Sequence, residues 1–192
     1  MSRSTFLLKG SCLCSKTAFT SSKFPLRLTH CHCIPCRKLS GGAFTTWADF
    51  PSSAISWAHT TAAAAATTTN NNNYNSGGST TEPTKSTDGK PTLRRSSKIA
   101  TRGFCESCGS TVSMQYDIEP EVVGLAAGLI DDDFGNVGEV LKMIPQKHIF
   151  LKEKAEWFEI DRRAEGEVAE WEGFSEDWER KVEMKKRGGE GF

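Results

Sequence analysis

The chain has 192 residues, enough for one domain with a real core, and 37% of them are hydrophobic, a low share for a fully folded chain. Its 24 basic residues cancel its 24 acidic ones, so charge gives no reason to expect nucleic acid or an anionic membrane as partner. No apolar run approaches the length of a membrane span, and Leu7-Leu8 is too short to be the core of a signal peptide, which leaves the cytoplasm as the default address.

In chain order, Phe6-Leu7-Leu8 reads as a first strand running into a turn at Gly10. Cys12-Leu13-Cys14 follows. Thr17 to Thr20 reads as a short strand, since β-branched and aromatic residues favour a pleated surface. Leu26-Arg27-Leu28-Thr29 alternates apolar and polar, the pattern of a half-buried strand. It delivers the chain to His30-Cys31-His32-Cys33-Ile34-Pro35-Cys36-Arg37-Lys38, where three of the seven cysteines lie within six positions. A loop turned by Ile34-Pro35 can aim all three sulfurs at one point, as a tetrahedral ion such as zinc requires. Three ligands match an open catalytic site. A closed structural knuckle is the alternative, with His30, His32 or a distant Cys as fourth ligand.

Ser40-Gly41-Gly42 is expected to let backbone approach something closely. Phe44 and Trp47, in the strand that ends at Phe50-Pro51, either line an apolar wall beside the metal or belong to the core. Residues 60–92, rich in Thr, Ala and Asn, carry almost no large apolar residue and read as a disordered insert within the domain. Long inserts are tolerable because loop-closure entropy grows slowly with length. Arg94, Arg95, Lys98 and Arg102 form the most basic patch. It either attracts an anionic thiol or is a solvated strand edge, and the edge reading is the better supported.

Cys105-Glu106-Ser107-Cys108 follows, with Gly109 suited to the positive φ that lets backbone wrap a metal. The two distant pairs, Cys12/Cys14 and Cys105/Cys108, supply four thiolates, a complete structural site. Seven cysteines then divide into one closed set of four and one open set of three. A disulfide framework would leave one cysteine over, and a redox CxxC normally opens a helix, whereas Gly109 to Val112 reads as a turn into a strand. That strand continues to Tyr116, and a buried strand runs from Val122 to Ile130. Asp131 to Asp133 is read as a polar turn, because it lacks the rest of a calcium loop. His148, between Lys147 and Ile149, is either a ligand or proton relay or, more commonly for such a residue, structural. From Asp161 onward charge dominates, and Ser175 to Val182 reads as a surface helix capped at Ser175, followed by a frayed tail. The expected organisation is one domain over 1–160 and a charged, partly helical tail over 161–192.

The chain resembles the glutathione-dependent formaldehyde-activating enzyme family, which includes centromere protein V-like proteins. The resemblance rests on Gly10 to Cys14, His30 to Gly42, Arg102 to Ser110, Gly128 to Asp132, Pro145 to Phe150 and Trp157-Phe158. It covers Leu8 to about Phe158 apart from the insert and gives every cysteine a place. It implies a small, mainly β zinc-binding fold of short antiparallel strands, a β-tent. It implies that Cys12, Cys14, Cys105 and Cys108 hold a structural zinc and that Cys31, Cys33 and Cys36 hold a second, reaction-side zinc. It also implies that the partners are a small thiol, glutathione, and a small aldehyde such as formaldehyde, joined and released by carbon–sulfur lyase chemistry. A non-catalytic zinc-stabilised module that binds protein or chromatin is the alternative.

Overall fold

The computed structural model describes residues 7–58, 89–131, 135–160 and 168–187. Most of the expected low-complexity insert, and Asp132 and Asp133 of the acidic turn, lie outside them. The described residues form eleven strands and three helices. The strands are β1 (Leu8–Ser11), β2 (Ala18–Ser21), β3 (Arg27–Cys31), β4 (Thr45–Pro51), β5 (Ile55–Ala58), β6 (Thr92–Arg95), β7 (Ala100–Phe104), β8 (Thr111–Tyr116), β9 (Val122–Ala126), β10 (Gln146–Ile149) and β11 (Ala169–Glu170). The helices are α1 (Ile34–Ser40), α2 (Val137–Met143) and α3 (Glu176–Arg187). The fold is mainly β, as expected, and among the described residues no helix is long and apolar enough to cross a membrane.

Two sheets share the strands. The smaller has the order β1-β2-β5 and the larger the order β11-β10-β3-β4-β9-β8-β7-β6. Pairing is antiparallel except at β10, which runs parallel to both β3 and β11. Because side chains alternate between faces, the large sheet sorts its residues cleanly. Leu28, Ala48, Phe50 and Leu125 point to one face and meet Leu8 and Phe19 of the small sheet, closing the main core with Ile130 and Val137. The opposite face carries Arg27, Thr29 and Cys31 of β3, Trp47 and Asp49 of β4, Met114 of β8 and Lys147 and Ile149 of β10, as the cross-strand register requires.

The sequence reading differs from the structure at several places. Gly10 lies inside β1 rather than in a turn. The expected three-cysteine loop is half helix: Pro35, whose missing N–H costs nothing in a first turn, opens α1. Gly41 ends that helix as a left-handed cap at φ +69°. The strand read over Val122 to Ile130 stops at Ala126 and continues as a short 3-10 turn, Ala127–Leu129. Helix α2 has no counterpart in the sequence reading.

The C-terminal segment folds back onto the second face. β11 extends the large sheet beside β10. Trp171 packs against the second core cluster, which contains Cys31, Cys36 and Trp47. Phe174 stacks on Trp178 with ring centroids 3.9 Å apart, and both rings meet Tyr116. The expected helix is present, and Trp178 is 7% exposed, on its inward face.

Candidate metal centres

The first cysteine cluster joins the two sheets. Cys12 and Cys14 sit in the turn between β1 and β2 of the small sheet. Cys105 and Cys108 sit in the turn between β7 and β8 of the large one. Their four Sγ atoms all lie within 4.8 Å of one another. Cys12 and Cys14 approach to 3.6 Å, and Cys14 and Cys105 to 3.7 Å. Each turn donates or positions groups toward the sulfurs. The Thr17 amide donates to Cys12 Sγ at 3.3 Å, and Ser110 Oγ lies 3.2 Å from Cys108 Sγ. Gly109 has the expected positive φ, +75°, and its amide donates to the Cys105 carbonyl at 2.8 Å. Burial pushes the Cys14 thiol up to about 12. Burial also acts on Cys108, but hydrogen bonds with Ser110 and Cys14 together outweigh it and bring that thiol down to about 6. Val112, Trp57 and Leu129 pack around the cluster, in which Cys12 and Cys105 are buried, Cys108 is half-buried and Cys14 is exposed. Four sulfurs at these separations fit a tetrahedral, all-thiolate zinc site.

The second cluster lies at the end of the large sheet's second face. Cys31 is the last residue of β3, Cys33 precedes α1, and Cys36 lies within α1. Their three Sγ atoms also lie within 4.8 Å of one another. Cys31 Sγ donates to Cys33 Sγ at 3.4 Å. Arg102 Nη2 donates to Cys36 Sγ at 3.4 Å. Hydrogen bonds from Cys31 and Cys33, and then the Arg102 charge, hold Cys36 at about 3 despite its burial. Cys31 goes the other way, pushed up by its bond to Cys33, by Cys36 and by burial. Cys33 is pulled down by Cys31, but Cys36 and burial outweigh that and leave it at about 11. The Arg102 guanidinium thus favours the thiolate form of Cys36. Three sulfurs, one backed by a guanidinium, fit a zinc site with a fourth position left to another ligand.

The surroundings of this cluster are apolar. Trp47, Met114 and Ile149 pack directly against Cys31 and Cys36, with Tyr116, Phe150 and Trp171 at the margin. Among the described residues, neither Trp47 Nε1 nor Arg102 Nε, both buried, has a hydrogen-bond partner. Cys31 is 2% exposed and Cys36 0%, so only Cys33 meets solvent to any extent. α1 is tied down beside the cluster. Glu153 Oε2 accepts from the Ile34 amide at 2.9 Å, Arg37 Nη1 donates to the Glu153 carbonyl at 2.7 Å, and Thr45 Oγ1 donates to the Cys36 carbonyl at 2.8 Å.

Three imidazoles sit behind the second cluster, on the opposite face of β3. His32 and His148 share a hydrogen bond of 2.7 Å. His148 stacks on His30 at 4.6 Å, and His30 bonds Thr46 and Gln146, each at 2.9 Å. Phe44 and Phe158 close the group. Among the described residues His148 joins neither group of clustered ligand atoms. Burial, then His148 and His30, lower His32 to about 4, so it is neutral at pH 7, and among the described residues its buried Nδ1 has no partner.

The structure thus brings together the seven cysteines in the two groups read from spacing, with all seven thiols free. It separates Phe44, which packs on imidazoles, from Trp47, which packs on the cysteines. It also divides the basic patch. β6 is an edge strand, Arg94 is exposed and Arg95 pairs with Asp117, which matches the edge reading. Arg102 does not belong with them: it crosses the sheet face to Cys36. The readable signal was the alternation of β7, whose residues 100, 102 and 104 share a face.

A family model described as glutathione-dependent formaldehyde-activating enzyme matches residues 7–153. No curated protein matches the chain. Among solved structures, the crystal structure of a Rhodobacter sphaeroides protein is similar at 16% identity and a TM-score of 0.43, covering 85% of this chain and 98% of that one.

Proposed function

Because the chain belongs to the glutathione-dependent formaldehyde-activating enzyme family, which gives it a glutathione-related, formaldehyde-activating role in general, we propose that it is a zinc-dependent carbon–sulfur lyase-type enzyme acting at Cys31, Cys33 and Cys36. The observation that carries this reading is the convergence of those three sulfurs, with Arg102 on one of them, apart from a second set of four. Cys12, Cys14, Cys105 and Cys108 would hold a structural zinc that pins the two sheets together. Cys31, Cys33 and Cys36 would hold the second, giving two per chain. Bound there, zinc would favour the thiolate of an arriving thiol and polarise a neighbouring carbonyl.

The chain's own residues do the rest. Arg102 stabilises the Cys36 thiolate. Trp47, Met114 and Ile149 exclude water, which strengthens every charge interaction inside. In the forward direction the thiol sulfur bonds the aldehyde carbon, the C=O π bond opens and the thiol proton ends on the oxygen. The product is an S-(hydroxymethyl) thioether, and the reverse step releases thiol and aldehyde. We take residues 1–160 as the zinc-binding unit and 161–192 as an appended segment. We assign the protein to the cytosol, where seven free thiols would stay reduced.

The test is exchange spectroscopy of glutathione with formaldehyde, with and without the zinc-loaded protein. Faster exchange that Cys33→Ser abolishes supports the reading; exchange equal to the uncatalysed rate refutes it. The burial of Cys31 and Cys36 favours a second reading, a zinc-stabilised module that binds protein or chromatin without turnover.

A further inference from the structure

The second face of the large sheet carries more than the cysteines. Between β3, β10 and α3 lies an open cavity of about 750 Å³, lined among others by Arg27, Glu119, Lys147, Trp171, Trp178 and Lys181. It continues into a constriction of about 40 Å³ beneath Phe174 and Trp178, lined by Thr29, Trp47, Met114, Tyr116 and Ile149. Trp47, Met114 and Ile149 are the residues that pack on Cys31 and Cys36. The cavity therefore leads to the wall of the three-cysteine cluster.

Its charges are nearly all matched within the chain. Arg27 pairs with Asp49 at 2.7 Å and with Glu119 at 3.4 Å, and Lys181 pairs with Glu119 at 2.6 Å. Arg180 pairs with Asp177. Lys147 is different. Its ammonium lies 5.8 Å from the centre of the Trp171 ring, and among the described residues no carboxylate comes within ion-pair distance of it. Burial and then Arg27 disfavour its charge, and Asp49 and Glu119 offset them only from beyond ion-pair distance, so a ligand carboxylate in direct contact would relieve the burial of this ammonium. Register sets the backbone spacing between Lys147 and the cysteine cluster. Lys147 is opposite Thr29, and Ile149 is opposite Cys31. Two residues along a strand span about 7 Å, so a group on Lys147 and a sulfur at the cysteine cluster are separated by roughly the length of a short peptide.

We propose that this cavity seats the carboxylate end of a small acidic thiol, with Lys147 as its counter-ion and the Trp171 face beside it. The proposal rests on the thiol reading of the Cys31–Cys36 site. It assigns to the space under α3 a binding role separate from the chemistry at the cysteines.

Calorimetric titration of the zinc-loaded full chain with S-methylglutathione tests it, because that probe keeps the carboxylates and cannot react. The parent should bind it saturably. Lys147→Met, which keeps the stem against Trp171, should bind about tenfold or more weakly, while Lys147→Arg should stay within a few fold of the parent. Cysteamine, a thiol without a carboxylate, should bind parent and Lys147→Met alike. Equal affinity of parent and Lys147→Met for S-methylglutathione overturns the proposal, and so does the absence of saturable binding by the parent. Should Lys147→Met fail to fold by circular dichroism, Lys147→Gln takes its place with the same expectation. Lys147-dependent binding without any acceleration of the aldehyde reaction would uphold this seat and refute the lyase reading. Acceleration with binding indifferent to Lys147 would do the reverse.

Discussion

Arg102 Nη2 donates to Cys36 Sγ at 3.4 Å, which ties β7, near the far edge of the large sheet, to the first turns of α1. Arg102 faces Met114 across the β7–β8 pair, so its side chain runs along the sheet face rather than into solvent. A guanidinium on a thiolate favours the charged form that a metal needs. Groups that orient metal ligands are typically worth about 10–100-fold in metal affinity. Arg102→Met should therefore weaken zinc at the second site by about that factor and leave the first untouched. Titration with a chromogenic chelator measures it. Two zinc released at the parent's chelator concentrations would contradict the assignment. Arg102→Lys should recover little, since an ammonium on a flexible tether lacks the planar fork.

The two cysteine sets should respond differently to a single Ser. Cys105 sits in the cluster that joins both sheets and is 2% exposed. Structural zinc sites contribute about 10 kcal/mol or more of folding free energy, as much as many domains have in total. Cys105→Ser should unfold the domain or lower its melting temperature drastically. Cys33→Ser should keep a parent-like circular dichroism spectrum and lose one zinc. A Cys105→Ser protein as stable as the parent would show that the first cluster is not structural.

Gly10 tests how closely β1 approaches the 3-10 turn Ala127–Leu129. A Cβ there would stand 2.3 Å from the Leu129 carbonyl oxygen and 2.6 Å from the Phe19 ring. The first of these is backbone, fixed by the bridge from Gly10 to Ile130, and cannot swing away. Gly10→Ala should cost about 1–3 kcal/mol, the usual penalty of overpacking, read as a lower urea midpoint with an unchanged slope.

His148 should prove structural rather than a ligand. It is 1% exposed and shares a 2.7 Å hydrogen bond with Nε2 of His32. His148→Leu would take that bond from a buried ring whose Nδ1 already lacks a partner among the described residues, at a cost of about 1–3 kcal/mol. Zinc stoichiometry should not change. Loss of one zinc in His148→Leu would make this imidazole a ligand after all.

What could be read from the sequence follows the range of the interactions involved. The cysteine sets were legible because thiols are scarce and ligand spacing is local. Short strands such as β3 and β8 were legible from alternation. α1 was not, since seven residues are too few to display a helical period, although Pro35 at its start and Gly41 at its end mark it in retrospect. Arg94, Arg95 and Arg102 look alike as neighbours in sequence, whereas strand alternation and an eight-stranded register decide which of them meets Cys36. The cover over the second face was hidden for a related reason. Trp171, Phe174 and Trp178 are dispersed among charged residues, and only the parallel joint between β10 and β11 shows where they go.

Elemental analysis of the purified full chain, before and after exposure to excess glutathione, tests the central claim most directly. Two zinc per chain, one of them lost or exchanged on exposure, is the predicted result. It matches a closed four-sulfur site and an open three-sulfur site backed by Arg102. A single zinc, indifferent to glutathione, would contradict the reaction-side site, and no zinc at all would contradict both.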